Sequence, residues 1–177
     1  MTILNFEFKA RANNLEESER KLLALDPKFI GEDNQTDTYF NVQNGRLKLR
    51  EGNIENALIY YERPNTSAAK QSNVLLYKYS NDETLKNIFT NSSGIKVVVT
   101  KKRKIYFVDN VKIHFDTIKE LGTFIEVEAI STNNEFTIEQ LKAQCNSYAD
   151  FFNIQPEDYI PVSYSDLLLE KTKTSNS

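Results

Sequence analysis

The chain begins with a regular alternation of apolar and polar side chains. Apolar residues stand at every second position from Leu4 to Ala10, and the positions between and after them are Asn5, Glu7, Lys9 and Arg11. Successive side chains of a β-strand point to opposite faces, so this period of two predicts a strand with one apolar and one charged face.

Further alternating or short apolar runs predict more strands along the chain. They cover residues 35–41, 46–51, 57–63, 74–79, 95–108, 111–118 and 123–130, and the run 95–108 is compatible with one long strand or two. Asn44-Gly45 and Asp109-Asn110 are typical hairpin turns, and the polar stretch 65–73 is predicted to be a loop. About eight strands separated by turn signals favour a curled antiparallel sheet or a barrel.

Helical patterns are confined to a few segments. The clearest predicted helix runs from Thr137 to Phe152, with Gln140 placed to complete a capping box. Another follows Asn14 and ends before Asp26, and two short ones are predicted over 82–91 and 164–170. We therefore predict an α+β fold with helices packed outside the sheet. The domain boundaries that we predict are 1–170 for a single domain and 171–177 for a disordered polar tail.

Length and composition fit one domain with an ordinary core. The chain has 177 residues, of which 40% are hydrophobic and 27% are charged, and no apolar run is long enough to span a bilayer. The single cysteine, Cys145, cannot form an internal disulfide, which favours a cytoplasmic location. Since the net charge is −3, a general nucleic-acid binder is disfavoured. We expect neither a nucleic acid nor a membrane as partner.

Charged residues recur at every second position on several predicted strands. The sets are Glu7, Lys9 and Arg11; Arg46, Lys48 and Arg50; Lys101 and Arg103; Lys112, His114 and Asp116; and Glu126 and Glu128. These faces can simply meet water, as one face of an antiparallel sheet often does. If the sheet instead closes with its charged face inward, the buried charges require a ligand. A polyphosphate with a divalent metal satisfies both signs, because Lys and Arg bind phosphate oxygens and carboxylates bind a hard cation.

A series of short motifs runs through nearly the whole chain. Asn5-Phe6-Glu7-Phe8-Lys9 comes first, and Asp116 is followed by Leu121-Gly122-Thr123-Phe124-Ile125-Glu126-Val127-Glu128. The others are Thr38-Tyr39-Phe40, Lys48-Leu49-Arg50, Lys101-Lys102-Arg103 and Ser163-Tyr164-Ser165-Asp166-Leu167. Together and in this order, the motifs resemble the CYTH, or triphosphate tunnel, family of class IV adenylyl cyclases and thiamine triphosphatases. Bacterial proteins of the class IV adenylyl cyclase type are the most similar branch.

The resemblance implies an eight-stranded antiparallel tunnel that holds a triphosphate. It implies that Mg²⁺ or Mn²⁺ is bound by Glu7, Glu126 and Glu128, with Asp116 helping to organise this metal set. It implies that the phosphates are bound by Lys9, Arg11, Lys48, Arg50, Lys101 and Arg103. Lys9 is also our candidate general base, because neighbouring cations would lower its pKa.

Two positions depart from the family pattern. Asn5 stands where the first Glu of E-x-E-x-K would be, which removes a negative charge and leaves one or two metal ions open. Glu62 stands where the family often has Lys, so we assign no phosphate to it. His114, the only histidine, shares a face with Asp116, but a structural role is the more common one for such a histidine.

Three functions are compatible with this sequence. We favour a metal-dependent enzyme that converts ATP to cyclic AMP and pyrophosphate, in the manner of class IV adenylyl cyclases. A triphosphatase acting on inorganic triphosphate or thiamine triphosphate would use the same residues. A module that binds polyphosphate or nucleotide without turnover would keep only the anion site. Monomer and homodimer are both open.

Overall fold

The strands of the protein form one antiparallel sheet. The computed structural model describes residues 3–62, 70–71, 73–80 and 82–175. The strands within them are β1 (Ile3–Arg11), β2 (Lys28–Phe40), β3 (Arg46–Glu51), β4 (Ala57–Glu62), β5 (Lys70–Gln71), β6 (Asn73–Lys78), β7 (Ile95–Val108), β8 (Val111–Ile118) and β9 (Gly122–Thr132). Their order in the sheet is β5-β1-β9-β8-β7-β2-β3-β4-β6.

The two edges of this sheet meet. β5 pairs with β1 at one end of the order and β6 pairs with β4 at the other, yet β5 ends at Gln71 and β6 begins at Asn73. Two chain steps span at most about 7 Å, so the sheet has to curl until its edges are adjacent. If β5 and β6 are counted as one interrupted strand, the described sheet is an eight-stranded antiparallel tunnel, and the predicted α+β tunnel is confirmed.

Helices lie between and after these strands. They are α1 (Leu15–Leu23), α2 (Glu83–Ser93), α3 (Ile138–Phe151), a short 3-10 helix (Pro156–Asp158) and α4 (Tyr164–Ser175). The Asn14 side chain accepts from the Glu17 N–H at the start of α1, and Thr137 and Gln140 form the predicted capping box of α3. α4 continues past the predicted end at Glu170 to Ser175, where the polar composition had predicted a disordered tail.

The outward face of β1, β8 and β9 forms the larger hydrophobic core. Its buried strand residues include Phe6, Phe8, Ile113, Phe115 and Val127, and the helices add Leu22, Leu141, Cys145 and Ala149. The Cys145 thiol donates to the Phe6 carbonyl at 3.1 Å, as expected for a core cysteine. Burial of such side chains stabilises by about 1.5–3 kcal/mol each, so this face holds α3 against the tunnel.

A second apolar cluster fills one end of the tunnel interior. We call it the apolar plug; it consists of Tyr39, Ala57, Ile59, Tyr61, Val99, Ile118, Phe124 and Tyr164. Leu167 and Leu168 of α4 pack against it, and the rings of Phe124 and Tyr164 lie 4.9 Å apart. α4 therefore closes this end of the tunnel. We call the opposite end of the tunnel the polar end.

Some boundaries differ from those predicted. β2 begins at Lys28 rather than at residue 35, because a register shift between Phe29 and Gly31 breaks the alternation there, and Gly31 has φ 144°. Residues 95–108 form one strand, not two. In the predicted loop 65–73, Lys70–Gln71 form β5 and Asn73 starts β6, while 65–69 and 72 lie outside the described residues. Arg63, the predicted end of the third strand, also lies outside them.

Candidate active site

Three basic side chains converge on one carboxylate inside the tunnel. Asp37 lies on β2 between β3 and β7, and its carboxylate is 2% exposed. It accepts from Lys48 Nζ at 3.0 Å, from Lys101 Nζ at 2.8 Å and from two nitrogens of Arg50 at 2.8 and 3.0 Å. We call Lys48, Arg50, Lys101 and Asp37 the basic wall. Its cations outnumber its carboxylate, so the wall is suited to bind an anion.

Burial and charge pull the pKa values of the basic wall in opposite directions. Burial alone would raise the pKa of Asp37, but the charges of Arg50, Lys101 and Lys48 outweigh burial and hold it well below its usual range. Burial lowers the pKa of Lys101 to about 7, against the attraction of Asp37 and with the repulsion of Arg50. Asp37 is therefore a fixed negative charge, while Lys101 can gain or lose a proton near neutrality.

Arg103 and Asp116 form a buried pair beside the apolar plug. Arg103 donates from Nε and Nη2 to the two oxygens of Asp116 at 2.6 and 2.5 Å, and the Tyr164 hydroxyl donates to Asp116 at 2.7 Å. Burial acts to raise the pKa of Asp116, but the charge of Arg103 lowers this pKa by a larger amount, so the carboxyl group stays ionised. Asp116 was predicted to belong to the metal set. The structure places it against Arg103 and Tyr164, an arrangement that orients the guanidinium.

Carboxylates line β1 and β9 on the same inner surface. Glu7 stands opposite Glu128, and Lys9 stands opposite Glu126. Glu126 lies 3.4 Å from Lys9 Nζ, 3.5 Å from Arg103 Nη2 and 3.3 Å from His114 Nδ1. We call Glu7, Glu126 and Glu128 the acidic wall. The structure thus brings the three predicted glutamate ligands together on neighbouring strands.

His114 is buried against this wall. Burial first and then the charge of Arg103 lower its pKa to about 4, so the imidazole is neutral at physiological pH. With Nδ1 facing Glu126, the other ring nitrogen, Nε2, is buried and has no hydrogen-bond partner in the described structure. The prediction that His114 shares a face of its strand with Asp116 is confirmed. A neutral histidine here lines the site without adding charge.

The donor chemistry of the acidic wall fits a hard divalent cation. In the described part of the chain, no three or more His, Cys, Asp or Glu side chains lie close enough to hold one metal ion as they stand. Glu7 and Glu128 are directly opposite, however, with Cβ atoms about 4.5–5.5 Å apart in such pairs, so side-chain rotation suffices to bring them onto one ion. Asn5 donates to Glu128 at 2.7 Å, and its amide oxygen is buried with no hydrogen-bond partner among the described residues. These oxygens are the ligands that Mg²⁺ and Mn²⁺ prefer.

Two predicted phosphate ligands have surroundings that differ from those expected. Lys9 was expected among cations, but it lies against Glu126 and 4.0 Å above the ring of Tyr164. The lysine that lies among cations is Lys101. Arg11 is exposed, donates to the Leu121 carbonyl at 3.0 Å and is not gathered with the basic wall.

Arg46 and Glu62 have partners outside the basic wall. Arg46 pairs with Asp166 of α4 at 2.8 Å, so it fastens the helix that closes the tunnel. Glu62 is exposed and accepts from the Tyr60 hydroxyl at 2.7 Å.

Sequence reasoning missed two acidic residues of the interior. Asp37 lies within the predicted strand 35–41, and its alternation with Gln35 and Tyr39 was the signal available. Glu55 lies in the turn between β3 and β4 and binds Arg50 at 3.1 Å and Lys112. No periodic pattern includes Glu55, so the sequence carries no comparable signal for it.

Comparison with known proteins places this geometry in a family. A model of the CYTH domain matches residues 4–164. The PH1012 protein of Pyrococcus horikoshii OT3 is 26% identical over 92% of this chain and 98% of that one, with a TM-score of 0.80. No curated protein matches the chain in sequence. The similarity therefore extends over nearly the full length of the fold.

Two further solved structures are "putative adenylate cyclase" proteins. The one from Vibrio parahaemolyticus is 19% identical, with 93% of this chain and 97% of that chain covered and a TM-score of 0.72. The one from Bacillus halodurans is 16% identical, with 92% and 96% covered and a TM-score of 0.52. At these identities they establish the shared fold. In the part of the chain that the structure describes, none of the helices has both the length and the apolar character needed to cross a membrane.

Proposed function

The chain belongs to the CYTH domain family, and from that premise we propose that it is a metal-dependent enzyme that acts on a triphosphate. The reaction we favour is the conversion of ATP to cyclic AMP and pyrophosphate. Two solved structures with this fold carry the description "putative adenylate cyclase", which supports the proposal at the level of the family.

The observation that carries the proposal is the convergence of Lys48, Arg50 and Lys101 on Asp37. Buried charges are costly unless they are paired, and Asp37 together with Glu55, which binds both Arg50 and Lys112, does not neutralise these four cations. A polyanion bound along the wall supplies the missing negative charge. Several phosphate oxygens can then accept from the lysines and from the planar guanidinium of Arg50.

The depth of the charged groups favours nucleotidyl transfer. Lys101 stands two positions from Val99 of the apolar plug and Glu126 two positions from Phe124, about 7 Å along their strands, whereas Glu128 stands four positions from Phe124, about 13 Å along. A triphosphate that enters from the polar end would put its terminal phosphates on the basic wall. Its phosphate nearest the nucleoside would then lie level with Glu128, in the outer part of the acidic wall.

The residues of the acidic wall are those that would hold a divalent cation. Glu7, Glu126 and Glu128, together with the amide oxygen of Asn5, offer hard oxygen ligands. A bound divalent cation would offset the charge that develops on phosphate oxygens during transfer. Arg103, fixed by Asp116, would donate to the phosphate chain between the two walls.

Lys9 remains our candidate for the group that accepts the proton of the attacking hydroxyl on position alone, because the neighbouring cations that were expected to favour this role are replaced by Glu126 and the Tyr164 ring. It reaches the acidic wall at Glu126 and is held over the Tyr164 ring, so its position is defined from two sides. Unchanged turnover in Lys9→Ala would exclude this role.

The test is an assay of products from ATP, inorganic triphosphate and thiamine triphosphate, each with Mg²⁺ or Mn²⁺. We expect cyclic AMP and pyrophosphate from ATP, and a loss of about 100-fold or more in Lys101→Met. Lys142→Met, which removes an exposed lysine on α3, is the matched control and should retain wild-type rates.

The other outcomes separate the competing functions. Orthophosphate from one of the substrates, without cyclic AMP, would identify a triphosphatase. Triphosphate binding without any product would identify a binding module. If the protein forms no product and binds none of the triphosphates, the proposal is overturned and the charged faces have a structural role.

A further inference from the structure

Glu55 places a carboxylate at the end of the basic wall that is remote from the plug. It lies in the turn between β3 and β4, and its side chain is 25% exposed. One oxygen accepts from Arg50 at 3.1 Å and from the Gln35 amide at 3.0 Å, and the other accepts from Lys112 of β8. Glu55 thus joins cations from two sides of the tunnel.

The turn that carries Glu55 is fixed from below by a buried carboxylate. Asp33 is fully buried and accepts from the backbone N–H groups of Ile54 and Glu55 at 3.0 and 2.9 Å. Gly52 lies so close that a Cβ there would be 2.6 Å from Asp33 Oδ1. This network holds the Glu55 backbone in place, so the position of its carboxylate is built into the fold.

The charge of Glu55 is permanent at physiological pH. Burial raises its pKa, but Lys112 and then Arg50 lower it far more, so the carboxyl group stays ionised well below neutrality. Any anion that extends along the basic wall past Arg50 therefore meets a negative charge where Arg50 and Lys112 would otherwise offer donors. Like charges at such a distance, partly shielded from water, repel strongly.

We propose that Glu55 sets the outer limit of the anion site. The site is then selective for short polyphosphates that place no further negative charge beyond Glu55. This inference rests on the proposed function, since it assumes that the tunnel binds a triphosphate. It adds a specificity-determining residue outside the charged strand pattern. A nucleoside or another uncharged or cationic group satisfies the limit, whereas a fourth phosphate does not.

The test is a metal-free calorimetric titration with pyrophosphate, triphosphate and tetraphosphate. In the wild type, affinity should stop rising with chain length once the anion reaches Glu55. In Glu55→Gln the rise should continue, with tetraphosphate gaining about tenfold more affinity than pyrophosphate does. Glu51→Gln is the matched control: the same charge is removed from the same hairpin, but Glu51 pairs outward with Lys86 at 2.7 Å. It should keep the wild-type profile.

The outcomes are separable. Binding by the wild type with an unchanged length profile in Glu55→Gln would overturn the inference alone. An equal gain for all three anions would also overturn it, because Glu55 would then compete with every anion rather than limit length. If neither the wild type nor the variants bind any of the anions, the proposed function fails, and this inference with it. Should Glu55→Gln not fold, Glu55→Asp withdraws the carboxylate and should give an intermediate profile.

Discussion

The basic wall, on β7, β2 and β3, and the acidic wall, on β1 and β9, lie on either side of β8 in one tunnel, and their charges are balanced in different ways. In the basic wall, cations from two strands share the buried carboxylate of Asp37, so their mutual repulsion is partly offset before any ligand arrives. In the acidic wall, Glu7 and Glu128 stand directly opposite each other, and like charges so placed repel. Among the described contacts, Lys9, Arg103 and the neutral His114 approach this wall at Glu126.

This difference separates structural from ligand-dependent charge. Asp37 stabilises the empty protein, because without it Lys48 and Lys101 would lose their counter-ion and Arg50 would keep only Glu55. Glu128 is bound mainly by the neutral amide of Asn5, so its charge remains available to a cation. Substitutions in the basic wall should therefore act first on stability, and those in the acidic wall first on metal-dependent activity.

Asp37→Asn tests the first half of this comparison and should have the largest effect. Removal of one partner from a buried ion pair costs about 3–5 kcal/mol, and here several cations lose their partner at once. Urea unfolding should show a lower free energy of unfolding by about that amount. Inorganic triphosphate should restore part of the loss, because a ligand that binds only the folded state stabilises it.

The control for this variant is Glu17→Gln in the exposed Lys21–Glu17 pair of α1. Such a pair contributes about 0.3–0.5 kcal/mol, so the variant should unfold nearly as the wild type does. A similarly small loss in Asp37→Asn would contradict the structural role assigned to Asp37.

Glu128→Gln tests the other wall. Because it relieves the repulsion between Glu7 and Glu128, its free energy of unfolding should stay within about 1 kcal/mol of wild type. Product formation with Mg²⁺ should fall on the order of 100-fold, while the metal-free affinity for triphosphate stays the same. Equal losses with and without metal would show that Glu128 contacts the anion site rather than a cation.

The pH dependence of anion binding isolates Lys101 within the basic wall. Its pKa in the folded protein is about 7, so it loses its charge as pH rises through neutrality. Metal-free triphosphate affinity should then fall by up to about tenfold per pH unit above 7. Lys101→Arg keeps its positive charge over this pH range. The ratio of the wild-type affinity to the affinity of this variant therefore cancels the effect of phosphate titration. A constant ratio from pH 6 to 9 would exclude Lys101 as the titrating group.

Titration of Lys101 should also affect the stability of the empty protein, but the free energy of unfolding should rise with pH whereas the anion affinity falls. The unfolded chain holds the Lys101 proton up to about pH 10.4, whereas the folded state releases it near 7. Over this window the unfolded state binds more protons, so Lys101 contributes a rising free energy of unfolding as pH increases.

The acidic wall was the more predictable part of the site. Glu126 and Glu128 alternate with buried Ile125 and Val127, so the period of two places them together on the face opposite the apolar one, and the resemblance to the family added that this face points inward. Lys101 and Arg103 are assigned in the same way. The order of the strands is a different matter, because it depends on pairings between residues far apart in the chain.

The role of Asp37 depends on that order. β2 lies between β3 and β7, and only this arrangement brings Lys48 and Lys101 to one carboxylate from opposite sides. The role of Glu55 was still harder to predict from the sequence, since a turn has no periodic pattern to place its side chain. The end of α4 was missed because the polar residues after Glu170 carry no helical pattern, while contacts such as that of Lys171 with the Glu120 carbonyl depend on the folded chain.

Tyr164→Phe should have a modest effect and tests how Arg103 is held between the two walls. The Tyr164 hydroxyl donates to Asp116, but Asp116 keeps both bonds from Arg103, so its charge is not left unpaired. A hydrogen bond to a charged group contributes about 1.5–3 kcal/mol, and we expect a loss near the lower value. Tyr60→Phe removes a hydroxyl bonded to exposed Glu62 and should cost less. If the two losses are equal, solvent reaches Asp116, and the apolar plug does not seal this end of the tunnel.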